Sequence, residues 1–185
     1  RGARRSLDEL GWTFQATLTS LDAAPIELLA GDLETAIAEL QRDFDTLDRL
    51  GERNFISTVA ASLSVALVEA GRYDEADAKA AFAAEVAAPD DSITQILWRG
   101  VRARLLAREG RVAEARVLAQ EAVDLSMESD DPVAQADALY DLAEVVDSAD
   151  PVAAREALEA AQRLYEAKGN LVSAADATSA LAVRG

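Results

Sequence analysis

A glycine-centred boundary recurs along this chain at a nearly constant interval. Gly31, Gly71 and Gly110 each precede a short charged turn, and a glycine-free copy follows at Ala149-Asp150-Pro151. Glycine can adopt the left-handed conformation that ends a helix, and acidic residues just after it favour the start of another. The boundaries recur with a period of about 40 residues, which is typical of stacked helix pairs. The sequence therefore predicts a helical-repeat protein.

A second series of boundaries has the same period. Its members mark the ends of the second helix of each pair, and they are Gly11, Gly51, Asp90, Asp130 and Gly169. We therefore predict an all-α solenoid of antiparallel helix pairs, with about ten helices in one repeat domain, 1–185. Its parts would be a half repeat (1–11), four full repeats (12–51, 52–90, 91–130 and 131–169) and a terminal helix (170–185). Because the chain opens at Arg1 within what reads as a helix, we expect a fragment of a longer polypeptide.

The helix starts and one interruption also follow from local sequence. Side chains that can accept a backbone hydrogen bond stand at the predicted N-caps, which are Asp32, Asp91 or Ser92, Asp131, Asp150 and Asn170. Pro132 and Pro151 fall in a first turn, where the missing N–H of proline costs nothing. Pro25, in contrast, lies inside the predicted helix 12–30, so we expect a kink or break near 21–24.

The charge and composition exclude several classes of function. The net charge is −16, from 34 acidic and 18 basic residues, which disfavours nucleic acid and anionic membranes as partners. The absence of cysteine and histidine excludes disulfides, thiol nucleophiles and imidazole acid–base chemistry. No apolar run approaches the ~20 residues of a membrane helix. We expect a cytoplasmic protein that is not an enzyme and holds no cofactor.

The boundary motif resembles the tetratricopeptide repeat. Gly71, Tyr73 and Ala76 are followed by the small residues Ala80 and Ala83, although the period exceeds the usual ~34 residues of that family. Five segments, 87–91, 95–99, 135–139, 141–144 and 165–170, are similar to the C-terminal tetratricopeptide-like region of large bacterial regulators. Those regulators carry an AAA/STAND-type ATPase, linked to an adenylate/guanylate cyclase or a DNA-binding transcriptional activator domain. The group tends to keep the glycine that Ala149 replaces here.

The resemblance implies a right-handed superhelix of actinobacterial-type origin and a non-catalytic function. We expect a scaffold for protein–protein interaction, or for intramolecular regulation within a larger signalling ATPase. Its partners would be a protein, a peptide or other domains of the same polypeptide. One alternative is a sensor of an anionic small molecule or nucleotide that uses the concave groove. Another is a structural arm that sets oligomer geometry, and exposed terminal repeats could support a homodimer.

The candidate binding residues lie in an arginine-rich stretch, where five arginines fall within 99–111. At 100° per residue, Gln95, Arg99 and Arg102 share one side of the predicted helix, and Arg104 and Arg108 lie on the opposite side. In one interpretation, Gln95, Trp98, Arg99 and Arg102 line the groove and hold an acidic peptide or a phosphate. In the other, the arginines pair with acidic residues of neighbouring helices, such as Asp74, Asp137 and Asp141.

Other conspicuous residues are interpreted as structural. We expect Trp12 and Trp98 to belong to the core, with coverage of the fragment's cut end as the alternative for Trp12. We expect Tyr73, Tyr140 and Tyr165 to occupy packing positions. The run Asp43-Phe44-Asp45-Thr46-Leu47-Asp48 contains the first oxygen ligands of a calcium loop. It lacks the glycine and the distant glutamate of that motif and falls inside a predicted helix, so we interpret it as a solvated helix face.

Overall fold

The structure, a computed structural model, describes residues 2–184, and these residues form eleven α-helices and no β-strand. The helices are α1 (Gly2–Glu9), α2 (Thr13–Thr17), α3 (Thr19–Leu29), α4 (Leu33–Leu50), α5 (Asn54–Glu69), α6 (Tyr73–Val86), α7 (Ser92–Arg108), α8 (Val112–Met127), α9 (Pro132–Val146), α10 (Pro151–Lys168) and α11 (Leu171–Val183). The all-helical prediction is confirmed. None of the helices within 2–184 combines the length and hydropathy that crossing a membrane requires.

Glycine ends the helices where the sequence predicts it. Six glycines have φ between 67° and 80°: Gly11, Gly31, Gly51, Gly71, Gly110 and Gly169. After each, the following residue donates its backbone N–H to the carbonyl five positions earlier, as from Arg72 to Leu67 at 2.9 Å. This bond satisfies a carbonyl that the ended helix leaves without an intrahelical partner. The helix ends therefore depend on contacts within about one turn.

Two kinds of side-chain interaction stand at the starts of the helices that follow the periodic turns. Asp32 and Asp150 cap theirs by accepting the N–H of Thr35 and of Ala153. After Gly71, the Arg72 guanidinium instead donates from Nε and Nη2 to the two oxygens of Glu75, both at 2.7 Å. After Gly110, Arg111 and Glu114 repeat that arrangement at 2.9 and 2.7 Å. The predicted caps Asp91, Asp131 and Asn170 are also confirmed.

Small side chains are buried at the same position of successive repeats. The alanines five residues after each periodic boundary are fully buried: Ala36, Ala76, Ala115 and Ala154. Four positions further along, the buried residues are Leu40, Ala80, Ala119 and Leu158. An alanine at a helix contact lets two helices approach closely, so the sequence period is also a packing period.

The predicted break near Pro25 is wrong in position. The interruption lies at Leu18, and α3 continues through Pro25. The hydroxyls of Thr17 and Thr19 donate to the carbonyls of Phe14 and Ala16 at 2.6 and 2.8 Å, so the two threonines compete with the helix for those acceptors. The predicted helix 12–30 is therefore two segments, and the helix count exceeds ten by one.

The interpretation of Asp43 as part of a solvated face is also wrong. Asp43 is fully buried in α4 and forms an ion pair with Arg4 of α1, whose Nη1 also donates to the carbonyl of Ala16 at 3.0 Å. A buried carboxylate needs a charged partner; Arg4 of the first helix is the closer one, and Arg42 Nε of α4 lies 3.4 Å from the same oxygen.

The aromatic predictions have mixed outcomes. Trp12 is 56% exposed, which contradicts its assignment to the core, because it stands at the start of α2 rather than within a helix face. Trp98 is partly buried. Tyr165 is buried and Tyr140 packs beside it, as expected, and Tyr73 is partly buried at the start of α6.

The chain divides into two compact units, Arg1–Pro89 and Asp90–Gly185. In the first, α3 packs on α4, α4 on α5 and α5 on α6, and α3 also contacts α5. In the second, each helix from α7 to α10 packs on its successor, and α7 also contacts α9. Inside each unit, the first helices of successive pairs are thus neighbours as well.

The core of the second unit is built mainly from alanine and branched aliphatic side chains of α7 to α10. Its largest cluster includes Ala103 and Leu106 of α7, Ala119 of α8, Val146 of α9 and Leu158 of α10. The candidate site lies on α7 and is positioned by this packing.

Candidate functional site

Helix α7 presents the candidate residues between two buried flanks. Asp91 caps its first turn by accepting the N–H of Thr94. One flank is buried at Ile96, Gly100 and Ala103, and the other is buried at Thr94, Val101 and Leu105. The side chains of Gln95, Trp98, Arg99 and Arg102 are partly buried. Because the helix is fixed by its buried flanks, these polar side chains project from a rigid support.

Three of the four predicted residues are in direct contact. The Arg99 guanidinium carbon lies 4.2 Å from the centre of the Trp98 ring, a cation–π contact. Arg99 Nη1 donates to the carbonyl and to the side-chain Oε1 of Gln95 at 2.9 and 2.5 Å. Trp98 Nε1 donates to the same Oε1 at 3.0 Å. Gln95 thereby holds both partners and fixes the plane of the guanidinium. Arg102 lies one turn further along α7.

A fourth participant, Glu121 of α8, was missed by the sequence reasoning. Its Oε2 accepts from Arg99 Nε at 3.0 Å, and its side chain is 49% exposed whereas that of Arg99 is 19% exposed. A signal for this pair exists, since Arg99 and Glu121 are equally distant in sequence from the turn at Gly110. In an antiparallel helix pair, residues equidistant from the turn lie at the same level along the pair.

Arg104 lies on the opposite side of α7, as predicted. It forms ion pairs with two residues of α9: its Nε lies 2.9 Å from Glu144 Oε2, and its Nη1 lies 3.7 Å from Asp141 Oδ1. The interpretation that arginines pair with acidic residues of neighbouring helices is confirmed for Arg104 with Asp141. It also describes Arg99 with Glu121, although Glu121 was not among the partners expected.

Asp137, another expected ion-pair partner, is instead bonded to a tyrosine. Its Oδ1 accepts from the Tyr165 hydroxyl at 2.5 Å. Desolvation by the surrounding protein raises the pKa of Asp137 to about 6, although the residue remains partly exposed to water. The negative charge of nearby Asp131 raises this pKa further, whereas the hydrogen bond from Tyr165 lowers it. Burial and the adjacent Asp137 raise the pKa of Tyr165. The Asp137 carboxyl therefore ionises at a pH closer to 7 than the carboxyl of an ordinary aspartate does.

The chemistry available at the Arg99 cluster is that of an oriented cation. No group of three or more acidic side chains within 2–184 is placed to hold a metal ion. A guanidinium fixed in its plane presents its N–H groups in a fork that matches the two oxygens of a carboxylate or phosphate. No protein-family model matches this chain, and no curated protein matches it.

Proposed function

We propose that this chain is a non-catalytic helical-repeat scaffold that binds an acidic segment of a protein partner, or of another domain of its own polypeptide. In this proposal the repeats form a right-handed, tetratricopeptide-like solenoid, and the chain serves as the regulatory region of a larger ATPase-linked signalling protein. The observation that supports binding is the Arg99 guanidinium, which is stacked on Trp98, bonded to Gln95 and partly exposed.

The preference for an acidic partner follows from the geometry of that cation. Most arginine donors lose conformational freedom when they bind, which reduces the net gain. The stack on Trp98 and the hydrogen bonds to Gln95 already order Arg99, so binding of a carboxylate would cost little further conformational entropy. Since the chain carries a net charge of −16, acidic ligands would bind only where such a local cation outweighs the general repulsion.

The fluorescence of Trp98 provides a direct test. The chain has two tryptophans, and Trp12 is exposed, so Trp12→Phe leaves Trp98 as the sole reporter with little structural cost. We expect end-blocked peptides rich in Asp and Glu to produce a saturable change in Trp98 emission, because a ligand on Arg99 alters the ring's stacked neighbour. Neutral peptides of the same length should produce none.

Matched variants separate this site from general electrostatics. Arg99→Ala/Arg102→Ala should abolish the response. Arg111→Ala, which removes an exposed arginine engaged with Glu114 at the helix start, should leave the affinity within about twofold. The proposal is wrong if no acidic peptide changes the emission, or if the double variant binds as the parent does. A response to inorganic phosphate or a nucleotide but not to peptides would favour the anion-sensor alternative.

A further inference from the structure

We infer that Glu121 is an internal competitor for the Arg99 site, and that an acidic partner binds by displacing its carboxylate. This inference rests on the proposed function and specifies how the same site is occupied when no partner is present. It assigns Glu121 a role in controlling affinity and selectivity.

The first observation is that the Arg99–Glu121 pair is only half formed. Elsewhere in this chain an arginine and a glutamate use both fork positions, since Arg72 and Arg111 each donate from Nε and Nη2 to two carboxylate oxygens. Arg99 donates to Glu121 from Nε alone, at 3.0 Å. Arginine and glutamate therefore form two hydrogen bonds with each other at the starts of α6 and α8, but only one at the candidate site.

The second observation concerns the donors that remain on Arg99. Nη1 is committed to Gln95, by bonds to the backbone carbonyl and to Oε1. Nη2 makes no hydrogen bond to any of the residues that the structure describes. A carboxylate can accept hydrogen bonds from both Nε and Nη2 with its two oxygens. Glu121 accepts only the one from Nε.

The third observation is that Glu121 can leave without disturbing the cluster. Its side chain is half exposed and lies on α8, so the released carboxylate would be hydrated. The orientation of Arg99 depends on Trp98 and Gln95, both on α7. Displacement therefore replaces Glu121, which accepts one hydrogen bond from Arg99, by a ligand carboxylate that accepts two. A ligand with a single neutral acceptor would add no hydrogen bond to Arg99 and would gain no affinity from the exchange.

The test compares two variants that remove the same charge from the same helix. Glu121→Gln weakens the internal competitor, whereas Asp124→Asn removes a charge three residues away that is bonded to Gln120 and not to Arg99. Both are placed in the Trp12→Phe background and titrated with the end-blocked acidic peptide. We expect Glu121→Gln to bind about two- to fivefold more tightly than Asp124→Asn, as expected for loss of one partly exposed ion pair. Adding Arg99→Ala should remove that difference.

The outcomes distinguish this inference from the proposed function. If the parent binds the peptide and the two variants have equal affinities, Glu121 is not a competitor and the binding function stands. If Glu121→Gln binds more weakly than Asp124→Asn, Glu121 supports the site, and the inference is overturned. If no protein binds, the function and the inference fail together.

Discussion

Asp43 occupies a position that the later repeats give to alanine. Counted from each periodic boundary, its equivalents are Ala83, Ala122 and Ala161, which are buried just as Asp43 is. Burial of a carboxylate is costly unless a charged group compensates it, and Arg4 provides that group. Within residues 2–184, the second oxygen of Asp43 has no hydrogen-bond partner. Arg42 Nε on α4 also lies 3.4 Å from Asp43 Oδ1, but the Arg42 side chain is 44% exposed, so Arg4 of α1 is the closer and better buried counter-ion.

A double-mutant cycle tests this dependence. Arg4→Ala should lower the free energy of unfolding by about 3 kcal/mol, because it leaves the buried carboxylate with only the more exposed Arg42 as a counter-ion. Arg4→Ala/Asp43→Ala should recover most of that loss, since alanine is the residue that the other repeats place there. Urea denaturation followed by circular dichroism measures both. A double variant as unstable as Arg4→Ala would show that the arginine stabilises through contacts other than this charge.

Asp137 gives a prediction for pH dependence. Its pKa in the folded protein is raised to about 6, so the folded state holds this proton more tightly than the unfolded chain does. Ionisation of Asp137 therefore costs stability as the pH rises from the ordinary aspartate range to above 6. Asp137→Asn keeps an oxygen for the Tyr165 hydroxyl and removes the charge. We expect the stability of this variant relative to the parent to increase between pH 4 and pH 7, measured as paired thermal melts; a constant difference would contradict the raised pKa.

At the scale of elements, the contact between α7 and α9 depends on a missing side chain. A Cβ added at Gly100 would collide with Oδ2 of Asp141, the residue that also pairs with Arg104. Alanine is otherwise favoured over glycine inside a helix by about 1 kcal/mol. The glycine is therefore explained by the neighbour on α9 and not by any need for backbone freedom.

The corresponding experiment places Gly100→Ala in two backgrounds. In the Asp141→Ala background we expect it to stabilise the protein by about 1 kcal/mol, the helix-propensity gain. In the parent background the gain should be smaller or reversed, because the Asp141 side chain must rotate away from Arg104. Equal effects in both backgrounds, measured by chemical denaturation, would mean that the two residues are not coupled.

Element boundaries could be predicted from the sequence because local chemistry decides them. Gly71 and Gly110 end helices through bonds that span five residues, and Asp32, Asp131 and Asp150 cap helices through bonds to residues at most three positions away. The break at Leu18 was predicted at the wrong place because proline is a strong sequence signal for a break, whereas the hydrogen bonds of the two threonine hydroxyls that flank Leu18 leave no such signal.

Side-chain partners between distant segments could be predicted only in part. The sequence placed Gln95, Trp98 and Arg99 together because they share one helix. It did not identify Glu121, whose contact depends on how α7 and α8 align about Gly110. Asp43 was assigned to a solvated face because its partner lies far away in sequence, on α1, and no local pattern marks it. Contacts that depend on how two helices align with each other therefore cannot be predicted from sequence periodicity alone.

For the whole molecule, the dominant electrostatic property is the net charge of −16. Like charges of this excess repel one another in the compact state, and salt screens that repulsion. We expect the melting temperature at pH 7 to rise between about 10 and 150 mM NaCl, as the screening length falls from about 30 to about 8 Å. The rise should be much smaller near pH 4.3, the isoelectric point. A fall with salt at pH 7 would mean that specific ion pairs outweigh the net repulsion.

The buried pair of Arg4 and Asp43 bears on how a gene for such a chain can change by duplication. A copy of segment 52–90 or 91–130 carries a buried alanine, Ala83 or Ala122, at the position of Asp43 and so brings no buried charge there. A copy of segment 12–51 would carry Asp43 away from Arg4 and leave its buried carboxylate with Arg42 alone, whose Nε lies 3.4 Å away and whose side chain is 44% exposed. Duplication of the later segments therefore separates no buried ion pair, whereas a copy of the first segment loses the contact with Arg4.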